Sequence, residues 1–187
     1  MALAPGANIV TASADVNGTP LTDTVSWTAP NPAKGIAIDA GALTGLTTAA
    51  GQRYGSDDFF DGRTCKALAG SSPFRPAPPV AGVDTPALFA TYREGRFGYD
   101  IPLPDGRWTV SLAMLEPDAA KAAERRFSVA MDGKVRLTGF SPAEAAGGVR
   151  KAVTRSFPVR TRGGHLRLDF VPGSGDAVVA AITVLPR

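Results

Sequence analysis

The feature that most constrains this chain is a two-residue alternation of large apolar side chains near its middle. They occupy every second position in two consecutive runs, Phe97, Tyr99, Ile101 and Leu103, then Trp108, Val110, Leu112 and Met114. The runs flank Pro104-Asp105-Gly106, whose Asp-Gly dipeptide favours a tight hairpin turn. Because successive side chains of a strand point to opposite faces, this period predicts two strands, each with one buried face.

The rest of the chain repeats this pattern over shorter segments. Alternating apolar residues predict strands within 127–137, with a turn at Asp132-Gly133, and at 166–170 and 178–184. Brief helices are predicted for Pro117–Arg126 and Pro142–Ala146 alone. Short strands separated by turn signals predict an all-β chain, an antiparallel β-sandwich or barrel with very short helices. No glycine-rich loop follows a strand and opens a helix, which argues against a nucleotide-binding fold.

The first 30 residues form a motif of their own. Residues 8–16 and 21–27 flank Asn17-Gly18, a dipeptide that permits the positive φ angles of a two-residue hairpin turn. The second arm alternates apolar and polar side chains, which predicts a half-buried strand. Ala29-Pro30-Asn31-Pro32 is a predicted linker, because proline cannot donate to a sheet. Residues 1–30 are therefore either the first hairpin of the domain or the tail of a preceding β-domain, and residues 35–187 are the main β-sandwich domain.

Composition excludes several classes of protein. The 187 residues include one cysteine, Cys65, and one histidine, His165, which rules out an internal disulfide framework, a thiolate zinc cluster and a His-rich metal site. The net charge is +3 and the basic residues are scattered rather than in runs, so nucleic acid is not expected as a partner. No leader-like N-terminus and no run of about 18 apolar residues occurs, so neither a signal peptide nor a membrane partner is predicted.

Several short motifs follow one another in order along residues 35–187. The stretch from Leu88 to Leu112, L-F-A-T-Y-R-E-G-R-F-G-Y-D-I-P-L-P-D-G-R-W-T-V-S-L, resembles the L-Y-x-T-x-R element followed by F-x-Y-x-I-P-x-P-x-G-x-Y-x-V-x-L of the malectin family of carbohydrate-binding modules. The other matching elements, in chain order, are Ile38-Asp39-Ala40-Gly41, Asp58-Phe59-Phe60-Asp61-Gly62, Glu116, the R-x-F-x-V motif at 125–129 and the terminal strand at 175–184. The resemblance implies a jelly-roll-like antiparallel β-sandwich of the galactose-binding or malectin-like type, which binds a saccharide with loops at one end.

The resemblance also implies a set of ligand-binding candidates: Tyr92, Arg93, Glu94, Glu116, Asp118 and Asp176. A pyranose stacks its apolar C–H face on an aromatic ring, and its hydroxyls need paired donors and acceptors. Where malectin has aromatic residues, this chain has Glu94 after the Thr-x-Arg element, and Asp118 and Ala119 after the glutamate. The late acidic residue is kept as Asp176. The fold signature is thus better preserved than the sugar-binding platform.

Each candidate has a plain structural interpretation as well. Trp108 and Tyr99 share the inward register of their strands, so we predict core packing for both. Tyr92 is either a ligand platform or a surface ring. Arg93 either donates to sugar hydroxyls or a uronate, or forms a salt bridge with one of the acidic candidates Glu94, Glu116 and Asp118. Asp176 either accepts from sugar hydroxyls or occupies a plain Gly-Asp turn.

Catalysis is not expected from this domain. Glu116 with Asp118, or Asp57 with Asp58, offers the two carboxylates of a glycosidase, but neighbours in sequence rarely face one another at the required separation. A small esterase or lyase acting through His165 is a third alternative, but the chain lacks a G-x-S-x-G motif. No cofactor is predicted. The aspartates at 57, 58 and 61 offer oxygens to a structural calcium but lack a known loop spacing, and we expect them to cap a turn.

The resemblance therefore implies a non-catalytic carbohydrate-binding module that tethers an attached secreted glycoside hydrolase, of the β-galactosidase type or similar, to its glycan. The expected partners are an oligosaccharide or polysaccharide and the neighbouring domains of a larger hydrolase. The expected location is extracellular or periplasmic, through the parent protein. The alternative is a structural, interdomain or dimerisation β-sandwich without sugar binding, which the missing aromatic residues favour.

Overall fold

The computed structural model describes residues 6–29, 31–57, 71–76, 80 and 83–187. In this part of the chain the strands are β1 Gly6–Val16, β2 Thr19–Ala29, β3 Ile36–Asp39, β4 Leu46–Thr47, β5 Arg53–Ser56, β6 Ser71–Pro76, β7 Thr91–Gly95, β8 Phe97–Pro102, β9 Gly106–Leu115, β10 Phe127–Met131, β11 Lys134–Phe140, β12 Ala152–Thr161, β13 His165–Pro172, β14 Ala177–Val179 and β15 Ala181–Pro186. The helical elements are a five-residue helix, α1 Pro142–Ala146, and 3₁₀ turns at Pro32–Lys34 and Pro86–Phe89. The all-β prediction with very short helices is confirmed.

Two large sheets form the body of the domain. One has the strand order β11-β10-β13-β8 and the other the order β12-β9-β15-β3-β5-β4. Within them the strand pairs are antiparallel, except that β3 and β5 run parallel. A smaller sheet, β14-β7-β6, continues the structure at one end. The edge strands β11 and β12 therefore lie on the same open side of the sandwich, and Arg136 of β11 donates to Pro158 O of β12.

The core lies where the two predicted alternating runs face inward. Every second residue of β8 and β9 is buried, with 4 % exposure or less for Phe97, Tyr99, Ile101, Trp108, Val110, Leu112 and Met114. The Phe97 ring stacks on Phe170 of β13 at a centroid distance of 4.6 Å. The sequence prediction of these two buried faces is confirmed.

Two strand predictions were incomplete. Strand β12 was not predicted, because Pro158 interrupts its alternation; the strand tolerates proline because it lies at the edge of its sheet. The predicted strand at 178–184 divides at Ala180. Ala180 donates its N–H to Ala113 O, and its carbonyl accepts from Ala40 N, so the chain passes there from the small sheet to the six-stranded one.

Of the two predicted helices, one forms. Residues 142–146 are the helix α1, which Ser141 caps through its hydroxyl. Residues 119–124 instead form consecutive turns, in which the carbonyl of Lys121 accepts from the N–H groups of Glu124 and Arg125. The helix prediction for Pro117–Arg126 was therefore wrong. This segment ends at Arg125, whose buried side chain ties it to the body of the domain.

The N-terminal hairpin forms as predicted, but its burial was predicted wrongly. Strands β1 and β2 pair in register around Asn17 and Gly18, whose φ angles of 55° and 81° suit a two-residue turn. Leu21 and Val25 are 55 % and 43 % exposed, so β2 is not half-buried there. Over the described residues, the stretch from Ser13 to Ser26 is exposed throughout. The division of the chain at residues 30–35 stays a prediction.

Candidate functional site

Four of the six predicted site residues gather at one end of the sandwich around a buried arginine. Arg125 lies just before β10 with its side chain 1 % exposed. Its Nε donates to Glu116 Oε2 at 2.6 Å, its Nη2 to Glu94 Oε1 at 2.7 Å and its Nη1 to the backbone carbonyl of Asp176 at 2.7 Å. The backbone N–H of Asp118 closes the group by donating to Glu116 Oε1 at 3.0 Å. We call these five residues the Arg125 cluster.

The electrostatics of the Arg125 cluster are those of a satisfied ion-pair network. Burial alone would raise the pKa of Glu94, but hydrogen bonds from Arg125 and Lys121 outweigh it and lower this pKa below its ordinary value. Burial would likewise lower the pKa of Arg125, yet its bonds to Glu94 and Glu116 raise it. Glu116 is 0 % and Glu94 3 % exposed. Both carboxylates are thus held by the arginine and closed to solvent, so Glu116 does not offer a glycosidase carboxylate.

Arg125 is the residue of this site that sequence reasoning missed. It appeared only as the first letter of the R-x-F-x-V motif, with no role attached. The sequence did contain a signal. Arg125 lies just before the buried strand β10 and nine residues after Glu116, and an arginine at that position can bridge two loops. Three of the predicted ligand-binding residues, Glu94, Glu116 and Asp176, are hydrogen-bond partners of Arg125.

Arg93 belongs to a different buried cluster. It and Glu94 are neighbours on β7, so their side chains leave opposite faces of the strand. Arg93 donates from Nε to Asp57 Oδ2 at 2.7 Å and from Nη2 to Asp57 Oδ1 at 2.8 Å. Tyr99 OH adds a bond to Asp57 Oδ2 at 2.8 Å, and Gly41 N donates to Oδ1 at 2.9 Å. The predicted salt bridge of Arg93 therefore exists, but its partner is Asp57 and not one of the three acidic candidates.

We call Asp57, Arg93, Tyr99 and Gly41 the Asp57 cluster. Its geometry shows why the motif Ile38-Asp39-Ala40-Gly41 ends in glycine. Gly41 has φ +74°, and a Cβ there would lie 2.8 Å from Tyr92 O, so a side chain is excluded by both conformation and space. Asp58 and Asp61, the other members of the predicted calcium group, lie outside the described residues, as does Cys65. Among the described residues, no group of three or more His, Cys, Asp or Glu side chains is arranged to hold a metal ion.

The aromatic candidates lie in the core. Tyr92 is 7 % exposed, so the expectation that it lies at the surface, as a platform or as a free ring, was wrong; its side chain shares a strand face with the buried Glu94. Tyr99 and Trp108 are each 4 % exposed, which confirms the core packing predicted for them. Trp108 Nε1 donates to Thr161 Oγ1 at 2.9 Å, so its polar atom is satisfied internally.

Asp39 is a buried carboxyl that forms no ion pair with another described residue. It is 5 % exposed, and its Oδ1 has no hydrogen-bond partner among the described residues. Burial first, and then the charge of Asp57, raise its pKa to about 6, against which a hydrogen bond from Thr91 acts. Burial first, and then the charge of Asp39, raise the pKa of Tyr54.

An open pocket lies beside the Arg125 cluster and carries the exposed polar groups of this end. It has a volume of about 340 Å³ and is lined by Lys121, Glu124, Arg125, Pro172, Gly173, Ser174, Gly175 and Asp176. The Lys121 side chain is 47 % exposed, with Nζ 3.0 Å from Glu94 Oε1, and Asp176 is exposed. These groups offer a donor and an acceptor for hydroxyls, and the described residues that line the pocket include no aromatic ring. We call it the rim pocket.

An antiparallel β-sandwich with a polar pocket between loops at its end defines the class of this protein as a binding module. Residues 34–183 match the family model of the Malectin domain, and the chain belongs to this family. Malectin-like domains are a carbohydrate-binding family and are generally non-catalytic. The predicted family membership is confirmed.

Solved structures share the fold over most or all of this chain. A β-glucuronidase of Bacteroides uniformis superposes with a TM-score of 0.72 at 16 % identity, covering 100 % of this chain and 23 % of that one. The plant receptor-like kinase FER gives a TM-score of 0.68 at 26 % identity over 82 % of this chain and 42 % of its own. The ANX1 ectodomain of Arabidopsis thaliana gives 0.70 at 17 % identity over 81 % and 41 %. This chain thus spans about a quarter of the first protein and about two fifths of the other two.

No curated protein matches this chain in sequence. In the described part of the chain, the helices are too short to span a bilayer.

Proposed function

We propose that this domain is a non-catalytic carbohydrate-binding module that tethers an attached, secreted glycoside hydrolase to its glycan, with the rim pocket as its sugar site. The observation that carries the proposal is the convergence of Lys121, Ser174 and Asp176 on one open pocket at the loop end of a Malectin-family sandwich. A site of this kind recognises hydroxyl groups by paired donors and acceptors.

The Arg125 cluster supports the proposal by holding the pocket rigid. Arg125 binds the backbone carbonyl of Asp176 and the side chain of Glu94, and Glu94 in turn binds Lys121. The two groups that face a ligand are therefore positioned by a buried network and lose little freedom when they bind. Glu94 and Glu116 act in this proposal as positioning residues through Arg125, and the exposed Asp118 donates its N–H to Glu116. Arg93 belongs to the other buried cluster and Tyr92 to the core, so neither lines the rim pocket.

Tethering explains why such a shallow site would suffice. A pocket without a stacking ring gives weak binding to a single sugar, but linkage to an enzyme raises the effective concentration of that enzyme at a polymeric substrate. The similarity to a β-glucuronidase of which the chain spans 23 % supports a multidomain hydrolase parent. The similarity to receptor ectodomains supports an extracellular or periplasmic location.

The experiment is binding of the 187-residue chain to an array of neutral oligosaccharides, followed by titration calorimetry with the best binder. Asp176→Asn and Lys121→Met each remove one charged hydrogen-bonding group and are expected to weaken binding about tenfold. Asp23→Asn on the exposed hairpin and Lys34→Met near β3 are the matched controls, and both should bind like the unmodified chain. If Asp176→Asn and Lys121→Met both bind as tightly as the unmodified chain, the rim pocket is not the sugar site.

A structural or interdomain role without sugar binding is the second candidate, and the hairpin favours it. Val16, Leu21 and Val25 share one face of β1 and β2 by register, with Asp23 between the last two, and are 49 %, 55 % and 43 % exposed. Such an apolar strip fits the surface of a neighbouring domain. Two results together would favour this role over the first. The chain would bind no glycan of the array, and the exposed apolar area would decrease when the neighbouring domain is attached.

A further inference from the structure

We infer that the cleft between the edge strands β11 and β12 is a second site, which binds the carboxylate or sulfate groups of an acidic polysaccharide. The inference deepens the proposed function, because it rests on the domain being a glycan-binding module. The cleft lies near the start of β9 and the rim pocket beyond its end, so about ten residues of extended strand, roughly 30 Å, separate the two. We call it the basic cleft.

The basic cleft is rich in cations. It has a volume of about 420 Å³, and its charged lining residues are Arg107, Lys134, Arg136, Arg160 and Arg187 against a single carboxylate, Asp132. The whole chain has a net charge of only +3, so this side of the sandwich is far more basic than the average surface. Asp132 Oδ1 accepts from the backbone N–H of Arg167 at 2.9 Å, which commits part of that carboxylate to the β10–β11 turn.

The register of the strands places the arginines side by side. Arg160 of β12 lies directly opposite Arg107 of β9, and the N–H of Arg187 donates to Arg107 O at 3.0 Å, which continues the row onto the third strand. Trp108 and Val159, their neighbours in sequence, are buried, so Arg107 and Arg160 leave the outer face of the sheet together.

Like charges directly opposite each other destabilise a sheet. None of the five cations forms an ion pair with another described residue, and Arg136 uses one N–H on the carbonyl of Pro158. The cleft therefore keeps cations together at some cost in stability, which is the arrangement expected where an external anion supplies the missing charge.

The geometry fits a repeating anion better than a nucleobase or a single phosphate. Neighbouring strands lie about 4.8 Å apart, so the backbone positions of the arginines repeat at that interval, and Lys134 and Arg136 of β11 line the same cleft. Arginine forks bind carboxylate and sulfate oxygens in pairs. The described lining of the cleft contains no aromatic ring, so it offers no platform for the stacking by which proteins hold single-stranded nucleic acid. An acidic polysaccharide carries anions at regular intervals and needs no such platform.

The test is titration of the chain with polygalacturonate and with heparin, at low and at moderate salt. We expect binding to both that weakens as salt rises. In the double variant Arg107→Gln/Arg160→Gln binding should fall about tenfold, since each exposed ionic contact contributes up to about 1 kcal/mol. Arg53→Gln on β5, four strands away from β12 in the sheet, is the matched control and should bind normally.

Three results would overturn the inference: absence of binding to both acidic glycans, unchanged binding by the double variant, or equally strong displacement by single-stranded DNA or polyglutamate. The last result would mean that charge alone is recognised. Titration with neutral oligosaccharides distinguishes failure of this inference from failure of the proposed function. Their binding should depend on Asp176 and not on Arg107 or Arg160, so either site can fail while the other stands.

Discussion

The Arg125 cluster and the basic cleft lie at opposite ends of β9 and use arginine in opposite ways. Arg125 is 1 % exposed and has three partners, two of them carboxylates. Arg107 and Arg160 are exposed, lie opposite each other and have no ion-pair partner among the described residues. A buried cation that is fully paired stabilises loops, whereas exposed cations held together without counter-charges are available to a ligand. In the proposals above, Arg125 holds the loops around the rim pocket from inside, whereas Arg107 and Arg160 contact a ligand directly.

The largest effect is expected for Arg125→Met, which tests whether the Arg125 cluster stabilises this end of the domain. The substitution removes the cation that Glu116 binds and one of the two that Glu94 binds, so we expect the free energy of unfolding to fall by about 3–5 kcal/mol in urea titration. Arg126→Met is the matched control, because its ion pair with Glu144 is exposed and should contribute less than about 1 kcal/mol. A loss below 1 kcal/mol for Arg125→Met would mean that the cluster does not hold this end together.

Asp57→Asn tests the second buried cluster in the same way. The variant keeps the shape of the side chain but removes the charge that Arg93, Tyr99 and Gly41 N bind, which should lower the free energy of unfolding by about 3 kcal/mol. Tyr99→Phe removes one of these bonds and should cost about 1 kcal/mol. If the two variants have equal effects, Arg93 contributes nothing through Asp57.

Asp39 extends the comparison to a carboxyl group, because it is buried and forms no ion pair within the part of the chain that the structure describes. Its pKa is raised from 3.8 to about 6, so the folded chain holds a proton there that the unfolded chain loses near pH 4. The free energy of unfolding should therefore decrease as pH rises from about 4 to about 6, and Asp39→Asn should remove this decrease, on the order of 2 kcal/mol. Urea titrations of both proteins at pH 4, 5, 6 and 7 check this expectation, and parallel curves would contradict it.

The smallest expected effect is on the stability of the basic cleft itself. Arg107→Gln/Arg160→Gln relieves repulsion between opposed cations, so the free energy of unfolding should rise by about 0.2–1 kcal/mol at low salt, and the gain should shrink as salt increases. Thermal unfolding at two ionic strengths measures this change. A clear destabilisation would place these arginines with Arg125, as structural residues.

The fold was largely predictable from sequence because its decisive signals are local. The alternation in β8 and β9, the Asn17-Gly18 turn and the motif order each depend on neighbouring residues, and a buried face follows directly from a period of two. Local patterns do not predict whether another sheet packs against the apolar face of a strand. Leu21 and Val25 alternate like core residues yet are exposed, and Pro158 hides a strand that the sheet edge accommodates.

The site was less predictable because its chemistry depends on pairs that are distant in sequence. Arg125 lies 31 residues from Glu94, and Arg93 lies 36 residues from Asp57. A family motif identifies such residues without saying which of them face each other and which face a ligand. Asp176 and Asp118 remain exposed candidates, while Glu94 and Glu116 proved to be buried partners of an arginine that had no assigned role. Their part in binding stays a prediction.

The most direct measurement of the central claim is affinity electrophoresis of the 187-residue chain in gels that contain neutral polysaccharides. The account predicts that at least one polymer retards the chain, that Asp176→Asn abolishes most of this retardation and that Asp23→Asn leaves it unchanged. Migration that no polymer alters, or retardation that Asp176→Asn fully retains, would contradict a sugar site in the rim pocket.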